Sequence, residues 1–238
     1  MSTSEKLESY KLAYARFNPL VEQCKKYLGA ETKERQSLGI ELLASGDRSH
    51  VFKVNEGGQS YALKIINDEG NSVSNDIGDT VGHKDASEIE VGALLNVVGI
   101  DNVYQLVAFS YEDGVIVSTL MPGVAVGKLT EGEGSKIDRE MLLDLVKTFA
   151  KLYDRGVMPD TDYHNLITDF ENKRISVIDV WPLATLQNYI KSVSRYIQAV
   201  NYQGGLSDSE ATRLAQQFFT EGCVGTKLLA DLKNAGLV

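Results

Sequence analysis

The sequence predicts an α+β fold in which an antiparallel sheet with one long helix precedes a mostly helical half. Strand-like runs occur at 40–43, 51–54, 61–66, 103–108 and 114–119. Polar breaks that contain glycine separate the first three runs, which is typical of an antiparallel meander. A helix-period run at 84–98 precedes the fourth strand, and an apolar helical stripe at 138–155 begins the second half.

The composition limits the classes of function that the chain can have. It has 238 residues, of which 43% are hydrophobic, which is enough for one bilobed domain or two small ones. A net charge of −9 disfavours general binding to nucleic acids or anionic membranes. No apolar stretch approaches the roughly 18 residues that span a bilayer, and the start of the chain lacks the apolar core of a Sec-type signal. Cys24 and Cys223 do not form a disulfide scaffold, so we expect a cytoplasmic type of fold.

The first 39 residues are predicted to be a helical extension. A helical pattern covers 5–29 and is interrupted at Pro19. We expect this segment to pack on the core, with a partner-binding face as the alternative. Residues 67–82 are polar and rich in glycine, so a mobile loop is predicted there. Further helices are predicted at 183–200, 207–220 and 225–234, the second with a capping box that begins at Ser207.

The segment at 157–180 carries the most chemically suggestive polar pattern. Asp160 stands five residues before Asn165, and two apolar runs around the turn D-F-E-N-K follow before Asp179. A hairpin here would bring the three side chains to one end of a small sheet. Two carboxylates and an amide oxygen are the hard ligands that hold Mg²⁺ beside phosphates. Ordinary turn formation is the simpler explanation of each residue taken alone.

Two features upstream fit the same chemistry. The break A-S-G-D-R-S-H, which includes Gly46, is rich in small residues and suits a backbone that approaches a ligand closely. Lys64 lies in the middle of the third strand, with its side chain on the face of the sheet opposite to those of Leu63 and Ile65. Without other information, a solvated lysine on an amphipathic strand is the more common arrangement.

Taken in order over 40–182, these features resemble the protein-kinase fold. The resemblance implies two lobes, an N-terminal lobe at 40–123 and a reduced C-terminal lobe at 124–238. It also implies ATP and Mg²⁺ as cofactors. Lys64 in Y-A-L-K-I would be the ATP-binding lysine, and Glu90, rather than Glu88, would be its partner. M-P-D-T-D-Y-H-N is similar to the catalytic loop, which makes Asp160 the catalytic carboxylate, and I-D-V-W resembles the metal-binding segment. The metal ligands would be Asn165 and Asp179, and the nucleotide contacts would come from Ser45, Gly46, Ser49, Val51, Lys64 and Met121.

The sequence also departs from that family. Met158 and Pro159 replace the usual His and Arg, and Val180 and Trp181 replace the Phe and Gly that follow the metal-binding Asp. Asp162 stands where protein kinases carry a phosphate-contacting lysine, so its charge should repel the nucleotide unless it faces away. No proline precedes a glutamate, so the A-P-E anchor of an activation segment is missing.

This reduced pattern is similar to secreted bacterial effector kinases of the OspG/NleH and HopBF type. That likeness implies a protein Ser/Thr kinase delivered into a host cell by a specialised secretion system, active without loop phosphorylation and in some members activated by a host protein. Two alternatives remain. A small-molecule phosphotransferase of the aminoglycoside or choline kinase kind would suit a cationic substrate, which Asp160, Asp162 and Asp169 could attract. A nucleotide-binding pseudokinase would act as a binding module.

Overall fold

The computed structural model describes residues 3–46, 49–66, 73–74, 80–81, 83–134, 136–160, 163–200 and 208–236. The protein has an α+β fold with an antiparallel sheet and several helices. It divides into two compact units. The first unit contains Met1–Gly92 and Gln105–Leu120, and the second contains Ala93–Tyr104 and Met121–Val238.

The first unit contains the large sheet and the N-terminal helices. Its elements are α1 (Thr3–Tyr14), α2 (Asn18–Gly29), α3 (Thr32–Ser37), β1 (Glu41–Ser45), β2 (Ser49–Glu56), β3 (Gln59–Ile66), β4 (Val73–Ser74), β5 (Thr80–Val81), α4 (His83–Asn96), β6 (Leu106–Ser110) and β7 (Val115–Thr119). The division between the units falls within α4, after Gly92. Five antiparallel strands form one sheet in the order β1-β2-β3-β7-β6. Because Pro19 has no N–H to donate, the predicted N-terminal helix is divided, and a 3-10 turn over Ala15–Phe17 separates α1 from α2.

One face of this sheet is covered by the N-terminal helices. Strand alternation places Phe52, Leu63 and Val117 on that face, because they pair across β2, β3 and β7. They belong to a buried cluster that includes Phe17, Val21 and Cys24 from the N-terminal segment. The expectation that this segment packs on the core is confirmed for α1 and α2, since Tyr14 on α1 and Val21 and Cys24 on α2 are buried in this cluster.

The second unit contains the remaining helices and two small sheets. Its elements are β8 (Val124–Ala125), α5 (Glu131–Gly134), α6 (Arg139–Asp154), β9 (Val157–Pro159), β10 (Leu166–Asp169), β11 (Arg174–Val177), β12 (Val180–Pro182), α7 (Leu186–Val200), α8 (Asp208–Gly222) and α9 (Lys227–Asn234). Helix α6 begins after Asp138, whose carboxylate accepts a hydrogen bond from the Met141 N–H. Its apolar stripe is buried, as the sequence predicts.

The small sheets arrange the segment that the sequence singled out. One sheet has the order β11-β10-β8, and the other pairs β12 with β9. The predicted hairpin is present as β10 and β11, and Asp169 closes its turn by accepting hydrogen bonds from the backbone N–H groups of Glu171 and Asn172. The pairing of β9 with β12 was not predicted, because three-residue strands are too short to show a period.

Other predictions differ in extent or lie outside the described residues. The strand expected at 103–108 begins only at Leu106, and the short elements α3, β8 and α5 were not predicted. Most of 67–82, where a mobile loop was predicted, lies outside the described residues, and so does Ser207. No helix in the described ranges has both the length and the apolar character required to cross a membrane.

Candidate functional site

An ion pair between Lys64 and Glu90 is the central feature of the first unit. Lys64 projects from β3, and its Nζ lies 2.7 Å from Oε2 of Glu90 on α4. The Glu90 side chain is 3% exposed and that of Lys64 is 19% exposed. Glu88 is exposed, so the structure pairs the lysine with the glutamate that the sequence favoured. Lys64 is therefore not a solvated lysine on an amphipathic strand, which was the more common arrangement expected from the sequence alone.

The nucleotide contacts expected in and just after the small-residue break lie on both faces of the sheet. Val51 is the register partner of Lys64, and Ser49 is that of Ile66, so both lie on the Lys64 face. Ser45 pairs with His50 instead and lies on the opposite face, where its Oγ is 2.8 Å from Nδ1 of His50. The Ser45 hydroxyl is thus not directed toward Lys64, although the sequence placed Ser45 among the nucleotide contacts.

Gly46 closes the turn between β1 and β2. Its N–H donates to the carbonyl oxygen of Ser49 at 3.0 Å. Its backbone is not left-handed, and a Cβ at this position would meet nothing within 4 Å. The fold itself therefore does not require a glycine here. Any need for a small residue at position 46 would come from a ligand.

In the second unit, strand pairing brings Asp160 next to Asp179. Asp160 directly follows β9, and Asp179 directly precedes β12. Since Pro159 pairs with Val180, the next residues along the two strands face each other, and the Asp160 N–H donates to the Asp179 carbonyl at 3.2 Å. Two carboxylates are thus placed at the same end of one strand pair.

Asn165 joins these carboxylates from the neighbouring sheet. It directly precedes β10, and its carbonyl accepts a hydrogen bond from the N–H of Ile178 at 2.8 Å. Its Nδ2 donates to Oδ2 of Asp160 at 3.3 Å. The structure therefore brings together the three residues that the sequence expected to meet, and it does so through two strand pairs that share the segment 174–182.

The backbone at Asp179 is in the left-handed region, with φ of 83°. Strand β11 pairs with β10 whereas β12 pairs with β9, so the chain has to bend between them, at Ile178 and Asp179. Aspartate and asparagine tolerate this conformation better than most side chains, though still at some cost. Strained backbone of this kind is often found at functional sites.

The donor set at this position suits Mg²⁺. In the described part of the chain, no group of three or more His, Cys, Asp or Glu side chains could hold a metal ion. Mg²⁺ commonly takes only one or two carboxylates and completes its shell with phosphate oxygens and water. Because the Asn165 amide nitrogen is bonded to Asp160, its Oδ1 is the atom left for a metal. Asp179 and Asn165 are thus chemically suited to hold a magnesium ion that arrives with a nucleotide.

The remaining predicted residues are placed as follows. Met121 belongs to the second unit and directly precedes Pro122. Met158 pairs with Trp181 and Pro159 with Val180 across β9 and β12, so these four replacements lie in the strand pair that carries the two aspartates. Asp162 lies outside the described residues.

The Asp169 carboxylate is hydrogen-bonded within the turn between β10 and β11. Its Oδ2 accepts a hydrogen bond from Nδ2 of Asn172 at 2.7 Å, and its Oδ1 accepts from two backbone N–H groups. These hydrogen bonds, the one from the Asn172 side chain first, hold the pKa of Asp169 below its usual value. Asp169 therefore serves the hairpin turn.

Comparison with known proteins gave no relative from which a function could be transferred. No protein-family model matches this chain, and no curated protein matches it.

Proposed function

We propose that this chain is a compact phosphotransferase of the protein-kinase-like, bilobed type, which uses ATP and Mg²⁺ to phosphorylate Ser or Thr hydroxyls of a protein. The observation that carries the proposal is the buried ion pair between Lys64 and Glu90. The similarity of the reduced motifs around Asp160 to those of secreted bacterial effector kinases supports a host protein as the acceptor.

The environment of the pair argues against a purely structural role. Lys53 on the neighbouring strand also pairs with a glutamate, Glu41, but those side chains are 36% and 58% exposed. Such exposed pairs lose little hydration energy when they form, and they contribute little to stability. Burial of a charged pair costs desolvation energy that an apolar pair would avoid, so Lys64 and Glu90 are a weak choice for stability alone. A lysine held by a buried carboxylate is instead suited to bind phosphate.

Each residue has a specific task in the proposed reaction. Glu90 fixes the position of the Lys64 ammonium group, which binds phosphate oxygens of the nucleotide. Asp160 orients the acceptor hydroxyl and can receive its proton. Asn165 and Asp179 would hold Mg²⁺, which neutralises charge on the phosphates when it is bound. The proposal assigns the residues of both units to a single nucleotide.

A cationic small-molecule acceptor is less well supported. That alternative relied on Asp160, Asp162 and Asp169 as an acidic surface. The Asp169 carboxylate is hydrogen-bonded within its own turn, so the hairpin explains its presence without a cationic substrate.

Phosphate transfer from labelled ATP tests the proposal. Wild-type protein is incubated with magnesium and ATP, alone and with a host-cell lysate, and protein-bound label is measured. We expect Lys64→Met and Asp179→Asn to lower transfer by about 100-fold or more, because each loses an electrostatic contact to the phosphates or the metal. Lys53→Met is the matched control, since it removes a strand lysine from an exposed pair, and we expect it to stay within about twofold of wild type.

Loss of folding has to be separated from loss of chemistry. Lys64→Met leaves Glu90 buried without its lysine, so the double variant Lys64→Met/Glu90→Gln is included, which removes both charges. Asparagine at 179 keeps a residue that tolerates the left-handed backbone. Absence of transfer by wild type, or equal transfer by Asp179→Asn, contradicts the proposal. Tight ATP binding without transfer would identify a pseudokinase instead.

A further inference from the structure

Ser45 and His50 form a hydroxyl–imidazole pair beside the turn of the β1–β2 hairpin. They are register partners, and the Ser45 Oγ lies 2.8 Å from the His50 Nδ1. Strand β1 is at the edge of the sheet, and Ser45 is exposed. An incoming protein can therefore reach this hydroxyl.

The partner of Ser45 differs from the partners of other serines in the described residues. Ser60 donates to the amide oxygen of Asn55, and Ser9 and Ser37 donate to helix carbonyls. Ser110 donates to the carboxylate of Asp113, which favours its charged form because the hydrogen bond from Lys25 lowers its pKa. Amide and carbonyl oxygens do not take a proton near neutral pH, whereas imidazole does. A hydroxyl within hydrogen-bond distance of such a base is the arrangement that activates serine as a nucleophile.

We propose that Ser45 is a phosphate acceptor, modified by a second copy of this chain, with His50 as the base. This inference rests on the proposed kinase function. The Ser45 Oγ forms a bond to the γ-phosphorus of ATP while the bond from that phosphorus to the bridging oxygen breaks and ADP leaves. The hydroxyl proton passes to Nδ1 of the neighbouring His50, so that Asp160 of the modifying copy only orients this hydroxyl. The resulting imidazolium lies beside the new phosphate and forms a charge-assisted hydrogen bond with it.

The placement of Ser45 indicates transfer between two molecules. Lys64 and Val51 lie on one face of the sheet, whereas Ser45 and His50 lie on the other. A hydroxyl on the far face does not point toward a nucleotide held by Lys64 of the same chain. A second copy, with its own ATP, can approach the edge strand from outside.

The test uses separate enzyme and acceptor chains. Wild-type enzyme is mixed with tagged acceptors that carry Asp179→Asn, so that the acceptors do not transfer phosphate themselves. The acceptors are Asp179→Asn alone and the same chain with Ser45→Ala, His50→Gln or Ser60→Ala. Intact-mass and peptide mass spectrometry measure how much phosphate each acceptor gains, at which residue and how fast. Circular dichroism verifies that each acceptor is folded.

We expect one phosphate on Ser45 and none at that site in Ser45→Ala. His50→Gln should slow the labelling at least tenfold, since glutamine can keep the hydrogen bond but cannot take the proton; a purely structural His50 would give no such change. Ser60→Ala should label within about twofold of the parent. Labelling elsewhere with Ser45 unmodified, or unchanged labelling of His50→Gln, overturns the inference. If phosphate reaches a lysate protein but never Ser45, this inference fails while the proposed function stands; if no protein gains phosphate, both fail.

Discussion

At the scale of single residues, Gly123 is the position where the backbone allows the least change. Its φ is 122°, a conformation that side chains rarely adopt, and a Cβ there would lie 2.3 Å from the carbonyl oxygen of Thr168. This glycine begins the connection into β8, which pairs with β10 at Thr168. Close approach of two backbones thus anchors the connection to the strand that follows Asn165.

Gly123→Ala should lower the free energy of unfolding by about 3 kcal/mol, since both the backbone strain and the collision with Thr168 have to be relieved. Gly46→Ala is the control, because nothing lies within 4 Å of its Cβ position and its backbone is not left-handed. Urea unfolding, followed by the fluorescence of Trp181, the single tryptophan, measures both. Equal midpoints for the two variants would contradict the prediction.

The contrast between these two glycines shows what the sequence can and cannot predict at this scale. Lys64 and Glu90 were expected to be partners because the kinase resemblance pairs a lysine of this strand with a glutamate of the following helix. The requirement at Gly123 was not predicted, because it depends on a backbone that is 45 residues away in the chain. The face of the sheet on which the Ser45 side chain lies was likewise not predictable, since a register shift between Leu42 and Ala44 determines it.

At the scale of elements, the N-terminal helices form part of the core of the first unit. Phe17 is fully buried, and its ring meets that of Tyr61 edge to face with a centroid distance of 5.2 Å. The sequence predicted this segment as an extension because its helical period is separated from the sheet. Which face of the sheet it covers could not be predicted, since every central strand carries apolar residues on both faces.

Phe17→Ala should therefore lower the free energy of unfolding by about 3–5 kcal/mol, the usual cost of truncating a buried phenylalanine. Leu12→Ala on α1 is the matched control, since Leu12 is 77% exposed and its loss should change stability by less than about 0.5 kcal/mol. Urea denaturation monitored by circular dichroism measures both variants. A Phe17→Ala protein as stable as Leu12→Ala would show that the helices are not part of the core.

A polar cluster connects the same helices to the turn between β6 and β7. The carboxylate of Asp113 accepts hydrogen bonds from Lys25 at 3.1 Å, Tyr14 at 2.9 Å and Ser110 at 3.0 Å. These contacts, the one from Lys25 first, hold the pKa of Asp113 below its ordinary value of 3.8. A lowered pKa means that the folded state favours the charged carboxylate, so the contribution is full above that ordinary value and is lost as the pH falls through the lower folded-state pKa.

Asp113→Asn should thus be less stable than wild type at pH 6, and the difference should shrink below about pH 4 as the wild-type carboxylate becomes protonated. Thermal unfolding of the two proteins between pH 2.5 and 7 measures this difference. Glu112→Gln, a change at the exposed neighbour in the same turn, should show no such convergence. A difference that stays constant down to pH 2.5 would mean that the charge of Asp113 does not stabilise the cluster.

At the scale of the whole molecule, the sequence predicted the order of the main strands and helices, and the kinase resemblance implied lobes at 40–123 and 124–238. Residues 93–104 belong with the helical second unit although they precede β6, and the first unit resumes at Gln105. Sequence periodicity identifies elements one by one, whereas such grouping depends on contacts between distant parts of the chain.

The proposed function predicts that magnesium–ATP stabilises the folded protein. At a concentration 100-fold above its Kd, one bound nucleotide contributes about 2.7 kcal/mol, which corresponds to a rise in Tm of about 5–10 °C for a chain of this size. Calorimetry should give one nucleotide per chain. Lys64→Met and Asp179→Asn should each weaken binding, and the double variant should lose less than the sum of the two losses, by at least about 0.5 kcal/mol, because both residues act on the same phosphates. Lys53→Met should bind like wild type. Strictly additive losses, or two nucleotides per chain, would show that the two residues do not share a ligand.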